Sequence, residues 1–272
     1  MRGKIRVETV GADGARMDYV RFGQGDRAFV ILPGLSVDSV MKYADAVAEA
    51  YKPLTDDFTV YLFDRRRELP EAYSVCDMAR DTAAALRALG LAQVDLFGAS
   101  QGGMIAMTIA VEHPELVRRL ILGSTSARMD QRHFGTIARW IRLAESGDAE
   151  ALYLAFGEAL YPREVFEQSR AVLTAAAKTV TDADLKRFAI LAEGLNGFDM
   201  TRRLSQIQCP VLVIGSRDDQ VVGGGASAEI AEHLTAQPDH LLFLYDSYGH
   251  AAYDTAPDYR ERMLRFLVPQ SN

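Results

Sequence analysis

The 272-residue sequence has few cysteines and no long apolar run. Its two cysteines, Cys76 and Cys209, lie far apart, and nothing in their spacing requires a disulfide, so we expect buried free thiols in a reducing cytoplasm. No stretch approaches the roughly 18 apolar residues of a membrane-spanning helix. The first residues are basic but no apolar run follows them, unlike a secretory signal peptide. These absences predict a cytoplasmic protein with no membrane partner.

Positive charge is also scarce, because 30 Lys and Arg against 37 Asp and Glu give a net charge of −7. An acidic surface repels nucleic-acid phosphates and anionic lipids, so we expect a small-molecule substrate and no nucleic-acid partner. The sequence has no glycine-rich motif for a phosphate or a dinucleotide after a strand. It also has no cysteine and histidine cluster with the spacing of a zinc site. We therefore expect no metal and no cofactor.

Strand-like and helix-like segments alternate along most of the chain. A hairpin is predicted between residues 5 and 22, around Gly11 and Gly14. Mostly apolar runs predict buried strands at 28–32, 58–63, 94–97, 120–122, 210–214 and 241–245, with helical spacing between most of them. The run at 94–97 has one acidic interruption, Asp95. This alternation predicts an α/β fold with a mostly parallel central sheet and helices on both faces.

The alternation stops between residues 127 and 205, where four amphipathic helical stretches replace the strands. We expect this block to be a helical cap, or lid, inserted into one core domain made of residues 1–126 and 206–272. Aromatic residues are frequent in the block, and we expect a minority of them to line a pocket while the rest pack the cap onto the sheet: Phe134, Trp140, Tyr153, Phe156, Tyr161 and Phe166.

Ser100 is the strongest candidate for a nucleophile. It lies in the run Gly98-Ala99-Ser100-Gln101-Gly102, between a predicted strand and a helix of small residues. A turn this tight forces strained backbone on the serine, and the residues two before and two after it must be small to avoid collision. The following helix directs its first N–H groups towards any negative charge that forms beside the serine.

A serine hydroxyl needs a base near it, and the base needs a group that orients it. His250 is the candidate base, because it lies in a loop of small residues just after a predicted strand. The other four histidines fall at helix or strand ends, on a predicted surface or in the helical block: His113, His133, His233 and His240. Asp218 and Asp219 both follow the strand at 210–214, and either could reach the imidazole.

These motifs resemble the α/β-hydrolase superfamily, in a capped, esterase- or peptidase-like branch. The resemblance rests on the Gly98–Gly103 run, the Gly-His-Ala-Ala run at His250, and the chain order serine, aspartate, histidine. It extends from Lys4 to Leu267. The family's spacing, counted from Pro210, implies a catalytic triad of Ser100, Asp219 and His250, whereas alignment on Gly215 would favour Asp218.

The resemblance also implies an oxyanion hole, formed by the backbone N–H groups of Leu35 and Gln101. This chain has Pro33-Gly34 where the family usually has His-Gly, but the donors are backbone groups, so the change need not disable the hole. The basic run at residues 65–67 replaces a more glycine-rich family loop. We expect that run to be a solvated turn, with a place for Arg65 or Arg66 at the mouth of the site as the less favoured alternative.

The function implied is that of a serine hydrolase acting on an ester, thioester or amide of a small apolar acyl group, with a carboxylic ester favoured. Ser100 would form the acyl-enzyme. An aminopeptidase or a carbon–carbon bond hydrolase with the same triad is an alternative. A serine rather than an aspartate nucleophile argues against an epoxide hydrolase or a haloalkane dehalogenase. A non-catalytic ligand-binding protein on this scaffold is the alternative from another class.

Overall fold

The computed structural model describes residues 5–237 and 239–268. The predicted domain limits at residues 1 and 272, and the start of the family resemblance at Lys4, lie outside these described residues. Within them, eight strands form one sheet in the order β1-β2-β4-β3-β5-β6-β7-β8. The strands are β1 Glu8–Ala12, β2 Ala15–Gly23, β3 Arg27–Leu32, β4 Phe58–Arg66, β5 Val94–Ala99, β6 Val117–Gly123, β7 Val211–Ser216 and β8 Leu241–Tyr245.

Strand β2 pairs antiparallel with β1 and with β4, and all other neighbours are parallel. The helices are α1 Ala44–Ala50, α2 Val75–Ala88, α3 Gln101–Glu112, α4 Gln131–Glu145, α5 Ala149–Leu160, α6 Arg163–Ala177, α7 Asp182–Glu193, α8 Ala226–His233, α9 Ala252–Thr255 and α10 Tyr259–Leu267. The α/β fold with a mostly parallel sheet, predicted from the alternation of segments, is confirmed.

Alternate residues of the strands point to opposite sides of the sheet, and helices pack against both sides. In β3, Val30 and Leu32 join one apolar cluster, which also contains residues of α2 and α3. Phe29 and Ile31 join a second cluster, with residues of α1 and α10. This explains why the central strands are continuous apolar runs in the sequence.

Two predicted elements differ from the structure. Strand β4 runs to Arg66, beyond the predicted end at residue 63, because β2 continues beside it and Met17 pairs with Arg66. Asp64 and Arg65 therefore lie inside the sheet rather than in a turn. The helical spacing between the predicted strands at 28–32 and 58–63 corresponds to two short elements, a 3₁₀ turn, Val40–Tyr43, and the helix α1.

Helices α4 to α7 connect the adjacent parallel strands β6 and β7. They are held together by aromatic packing, in which the rings of Trp140 and Phe156 lie 4.7 Å apart and those of Phe156 and Phe188 lie 6.0 Å apart. Helix α7 begins with a capping box, in which the Thr181 side chain accepts from the backbone N–H of Asp184 and the Asp184 carboxylate accepts from that of Thr181.

Both cysteines are free, but the expected burial is wrong for Cys76. Cys76 is exposed because the buried face of α2 is formed by Val75, Met78 and Ala79. Cys209 is half-buried. Among the helices in the described ranges, none has both the length and the apolar character needed to cross a membrane.

Gly102 should not tolerate a side chain, since a Cβ there would lie 2.0 Å from the backbone oxygen of Leu32. We expect Gly102→Ala to lower the free energy of unfolding by about 3 kcal/mol, measured by urea denaturation. Gly135, in the middle of α4, is the matched control, because its Cβ would meet nothing within 4 Å. Gly135→Ala should raise the stability by about 0.5–1 kcal/mol. Equal changes in the free energy of unfolding for the two substitutions would contradict the close approach of Gly102 to the Leu32 backbone.

Candidate active site

Ser100 lies at the sharp turn between β5 and α3, with φ 53° and ψ −120°. Residues that have a side chain rarely adopt a backbone conformation with positive φ, so the surrounding structure must compensate for the strain. A Cβ at Gly98 would lie 2.3 Å from the backbone oxygen of Gly102, and one at Gly34 would lie 3.2 Å from the Cβ of Ser100. The small residues of the motif therefore allow three backbone segments to meet at the serine.

His250 joins Ser100 to Asp219. Its Nε2 lies 2.8 Å from Ser100 Oγ, and its Nδ1 lies 2.8 Å from Asp219 Oδ2. With Nδ1 protonated, the imidazole donates to the carboxylate and accepts from the serine hydroxyl. His250 and Asp219 are both buried. This arrangement places a base against the hydroxyl and an anion behind the base.

The two neighbouring aspartates have different contacts. Asp219 Oδ1 accepts from the backbone N–H groups of Val221 and Val222 at 2.8 and 3.0 Å. Burial alone would raise the pKa of Asp219, but the charge and hydrogen bond of His250, with these two backbone donors, lower it below its usual value. Asp218 instead accepts from the Ser216 hydroxyl and from the backbone N–H of Gly249. Asp218 thus holds the loop that carries His250.

The His250 loop also contacts the helical block. Gly249 has φ 63°, and a Cβ there would lie 2.8 Å from the backbone oxygen of Leu160. The backbone N–H of Ala251 donates to the same oxygen at 2.9 Å. The end of α5 therefore holds the His250 loop in position through a backbone hydrogen bond.

Leu35 and Gln101 lie beside the serine, and both line a small cavity together with Ser100 and His250. Gln101 is the first residue of α3, so its N–H is one of those that have no acceptor within the helix. Gly34 lies directly against Ser100, which places the loop that carries Leu35 beside the Ser100 side chain.

Arg65 corrects the expectation of a solvated basic turn. Its side chain is buried and points between two parts of the site. Its Nη2 donates to the backbone oxygen of Pro33 at 2.6 Å and to Gln101 Oε1 at 3.3 Å. Burial lowers the pKa of Arg65 to about 10, against the opposing charge of Asp64. Sequence reasoning gave Arg65 or Arg66 a place at the site only as the less favoured alternative, because the apolar strand pattern ends before Asp64 whereas the strand continues to Arg66.

Helix α7 contacts this cluster through Arg187 and Leu191. Arg187 Nη2 donates to Asp64 Oδ1 at 2.9 Å, and the other oxygen of this carboxylate, Oδ2, accepts from the Ser39 hydroxyl at 2.5 Å. The side-chain amide of Gln101 donates to the backbone oxygen of Leu191 at 2.7 Å. The helical block is thus bonded to the segment that follows Ser100.

The cavity at Ser100 is small, about 20 Å³, and mostly apolar. Its further lining comes from α3, from the helical block, from the loop after β7 and from α9: Met104, Met129, Ile137, Trp140, Phe156, Leu160, Leu195, Val221, Val222 and Tyr253. Two of the six aromatic residues singled out from the sequence, Trp140 and Phe156, are among them. The other four histidines bond elsewhere, to Arg87, Asp130 and the backbone oxygens of Glu229 and Gln237.

We expect Arg65→Met to lower the free energy of unfolding by about 2–4 kcal/mol, because it leaves the Pro33 and Gln101 oxygens without a donor inside the protein. Arg66→Met is the control. Arg66 pairs with Asp81 at 3.2 Å in a partly exposed position, so its loss should cost less than about 1 kcal/mol. Urea denaturation of both variants measures the difference. A similar loss of stability in the two variants would contradict a stabilising role for the contacts of Arg65 with Pro33 and Gln101.

Comparison with known proteins agrees with this geometry. Residues 27–257 match the model of a family described as alpha/beta hydrolase fold. A protein of Rhizobium rhizogenes (strain K84 / ATCC BAA-868), named "Putative carbamate hydrolase RutD", is 32% identical over 238 residues, which cover 82% of this chain and 88% of that protein.

Solved structures also share the fold. The alpha/beta hydrolase MGS-M2, from a Medee basin deep-sea metagenome library, has a TM-score of 0.85 at 21% identity and covers 97% of this chain and 98% of its own. The enol-lactonase of Burkholderia xenovorans LB400 has a TM-score of 0.81 at 20% identity, with 96% and 99% coverage. The chain belongs to the α/β-hydrolase family of enzymes.

Proposed function

We propose that this protein is a serine hydrolase that cleaves a carboxylic ester, thioester or amide of a small apolar acyl group through an acyl-enzyme on Ser100. The observation that carries the proposal is the continuous contact of Ser100 Oγ with His250 Nε2 and of His250 Nδ1 with Asp219 Oδ2, each at 2.8 Å. A hydroxyl in this setting can lose its proton to the imidazole as it attacks a carbonyl.

In the proposed reaction, Ser100 Oγ forms a bond to the carbonyl carbon while His250 Nε2 takes the hydroxyl proton. The backbone N–H groups of Leu35 and Gln101 stabilise the resulting oxyanion. The bond to the leaving group then breaks, and His250 donates its proton to that group. Water then attacks the acyl-enzyme carbonyl and gives a proton to His250. The bond between that carbon and Ser100 Oγ breaks, His250 returns the proton to Ser100 Oγ, and the acid is released.

Asp219 orients the imidazole and stabilises its charged form in this scheme. Its lowered pKa keeps the carboxylate ionised while His250 gains and loses the proton. Asp218, bonded to Gly249, acts on the position of the loop instead.

The apolar lining of the small cavity supports an acyl group that is short and uncharged. We propose that residues 127–205 form a cap over this cavity, since Ile137, Trp140 and Phe156 of the helical block reach it. A carbamate is a second candidate substrate, favoured by the relatives named for carbamate hydrolysis. Ser100 would then carry a carbamoyl group in place of the acyl group.

A fluorophosphonate probe tests the nucleophile directly, because it reacts with serine hydroxyls that are activated by a base. We expect the wild-type protein to be labelled and Ser100→Ala to show no labelling, measured by intact-protein mass spectrometry. Ser146→Ala, at an exposed position where α4 ends, is the control and should be labelled like the wild type. A folded wild-type protein that stays unlabelled would rule out the proposal.

Exchanging each aspartate separates the two acidic roles. Asp219→Asn should reduce kcat/KM for p-nitrophenyl acetate by about 10³–10⁴-fold, since it loses the anion that orients and stabilises the imidazole. Asp218→Asn should cost less than about tenfold, because the Asn side-chain oxygen can still accept from Gly249. The reverse order of effects would assign the acid to Asp218.

A further inference from the structure

Arg65 lies between the two backbone segments that carry the proposed oxyanion donors. One nitrogen of its guanidinium, Nη2, donates to the Pro33 backbone oxygen at 2.6 Å. The same nitrogen donates to Gln101 Oε1 at 3.3 Å, and Nε donates to that oxygen at 3.4 Å. Arg65 and Gln101 are both buried. One buried cation therefore contacts both the loop after β3 and the first residue of α3.

The loop after β3 needs a restraint because a glycine precedes Leu35. Glycine leaves the backbone free to rotate on both sides of its Cα, and Leu35 carries the first proposed donor. The Pro33 carbonyl comes directly before Gly34, and Arg65 holds its oxygen. This oxygen also lies close to α3, since a Cβ at Gly102 would be 2.5 Å from it. The bond from Arg65 thus fixes the peptide plane from which the chain continues to Leu35.

The start of helix α3 is held by the Gln101 side chain rather than by a cap. Ser100 is the N-cap residue, but its hydroxyl is bonded to His250 instead of an N–H of the first turn. The Gln101 side-chain oxygen accepts from Arg65, and its amide donates to the Leu191 backbone oxygen at 2.7 Å. Because helix ends fray, these two bonds steady the backbone N–H that is proposed as the second donor.

Arg65 acts from outside the space that a substrate would occupy. The described residues that line the cavity at Ser100 include Leu35 and Gln101 but not Arg65. Any effect of Arg65 on a reaction must then pass through the backbone that it holds. Oxyanion donors work at about 2.7–3.1 Å from the oxyanion, and a misplacement of about 1 Å can cost about 100-fold in rate. A restraint on both donor segments is therefore large enough to be measured in the kinetics.

We propose that Arg65 is a positioning residue for the oxyanion hole. Its guanidinium, through the Pro33 oxygen and the Gln101 side chain, holds the two proposed donors at a fixed separation. The inference rests on the proposed function, since an oxyanion forms only if Ser100 attacks a carbonyl. A guanidinium suits this task because its planar fork presents several N–H donors in fixed directions, whereas a lysine ammonium donates from a single point.

Steady-state kinetics with p-nitrophenyl acetate, well below the unfolding transition of each variant, test this role. We expect Arg65→Met to lower kcat by about 10–100-fold with KM changed less than about threefold, because the donors act mainly on the transition state. Arg65→Lys keeps the charge and one point of donation, so its kcat should lie between those of Arg65→Met and the wild type. The Ki of trifluoroacetone, which Ser100 would convert to a tetrahedral oxyanion, should rise by the factor by which kcat/KM falls.

Leu54→Ala is the matched control for lost stability. Leu54 is fully buried in the apolar cluster on the other face of the sheet. It comes just before β4 begins, at the edge of the sheet opposite Ser100. Its truncation leaves a cavity and should lower the free energy of unfolding about as much as Arg65→Met does. We expect kcat and the Ki of trifluoroacetone to stay within about twofold of the wild type in this control.

Wild-type kinetics in Arg65→Met or Arg65→Lys would overturn the inference, and so would an equal fall of kcat in Leu54→Ala. A raised KM with unchanged kcat would overturn it too, because the lost contact would then act on the bound ester alone. If Arg65→Met does not fold, the comparison of Arg65→Lys with the wild type decides. Fluorophosphonate labelling distinguishes the two failures: a labelled wild type with unaffected variants rejects only the role of Arg65, whereas an unlabelled wild type also rejects the proposed function.

Discussion

The close approach of Gly102 to the backbone of Leu32 controls the geometry of the whole site. It brings the end of β3 against the start of α3, and the chain between β5 and α3 must then turn at Ser100 with a positive φ. The hydroxyl is thereby held at the carboxyl edge of the sheet, where the loops after β3, β7 and β8 begin. The contacts of His250 and of Gly34 with Ser100 depend on this turn.

The buried guanidinium of Arg65 links that turn to the rest of the molecule. It holds the carbonyl before Gly34 on one side and the side chain after Ser100 on the other. Gln101 in turn donates to α7, and Arg187 of α7 donates to Asp64 beside Arg65. A shift of α7 would therefore be felt at both segments proposed to stabilise an oxyanion. Burying these polar groups removes their hydration, which costs free energy, and the hydrogen bonds between them offset that cost.

Polar groups in this protein differ in how completely they are bonded. Around Ser100, the carboxylate of Asp219 has three donors, and burial is compensated. Asp254, by contrast, is an exposed residue, and solvent can bond its carboxylate. The protein therefore supplies hydrogen-bond donors to the carboxylate that it buries.

Local patterns in the sequence determined the order of the elements, the burial of the central strands and the candidacy of Ser100 and His250, because periodicity and turn residues act over short distances. The sequence alone could not decide which aspartate contacts His250, because Asp218 and Asp219 are adjacent and chemically identical. The conformation of the loop after β7 gives them different contacts. The burial of Arg65 and of Asp219 depends on partners from distant segments. Only tertiary structure decides these, since the environment of a charged side chain is set by what packs against it rather than by its neighbours in sequence.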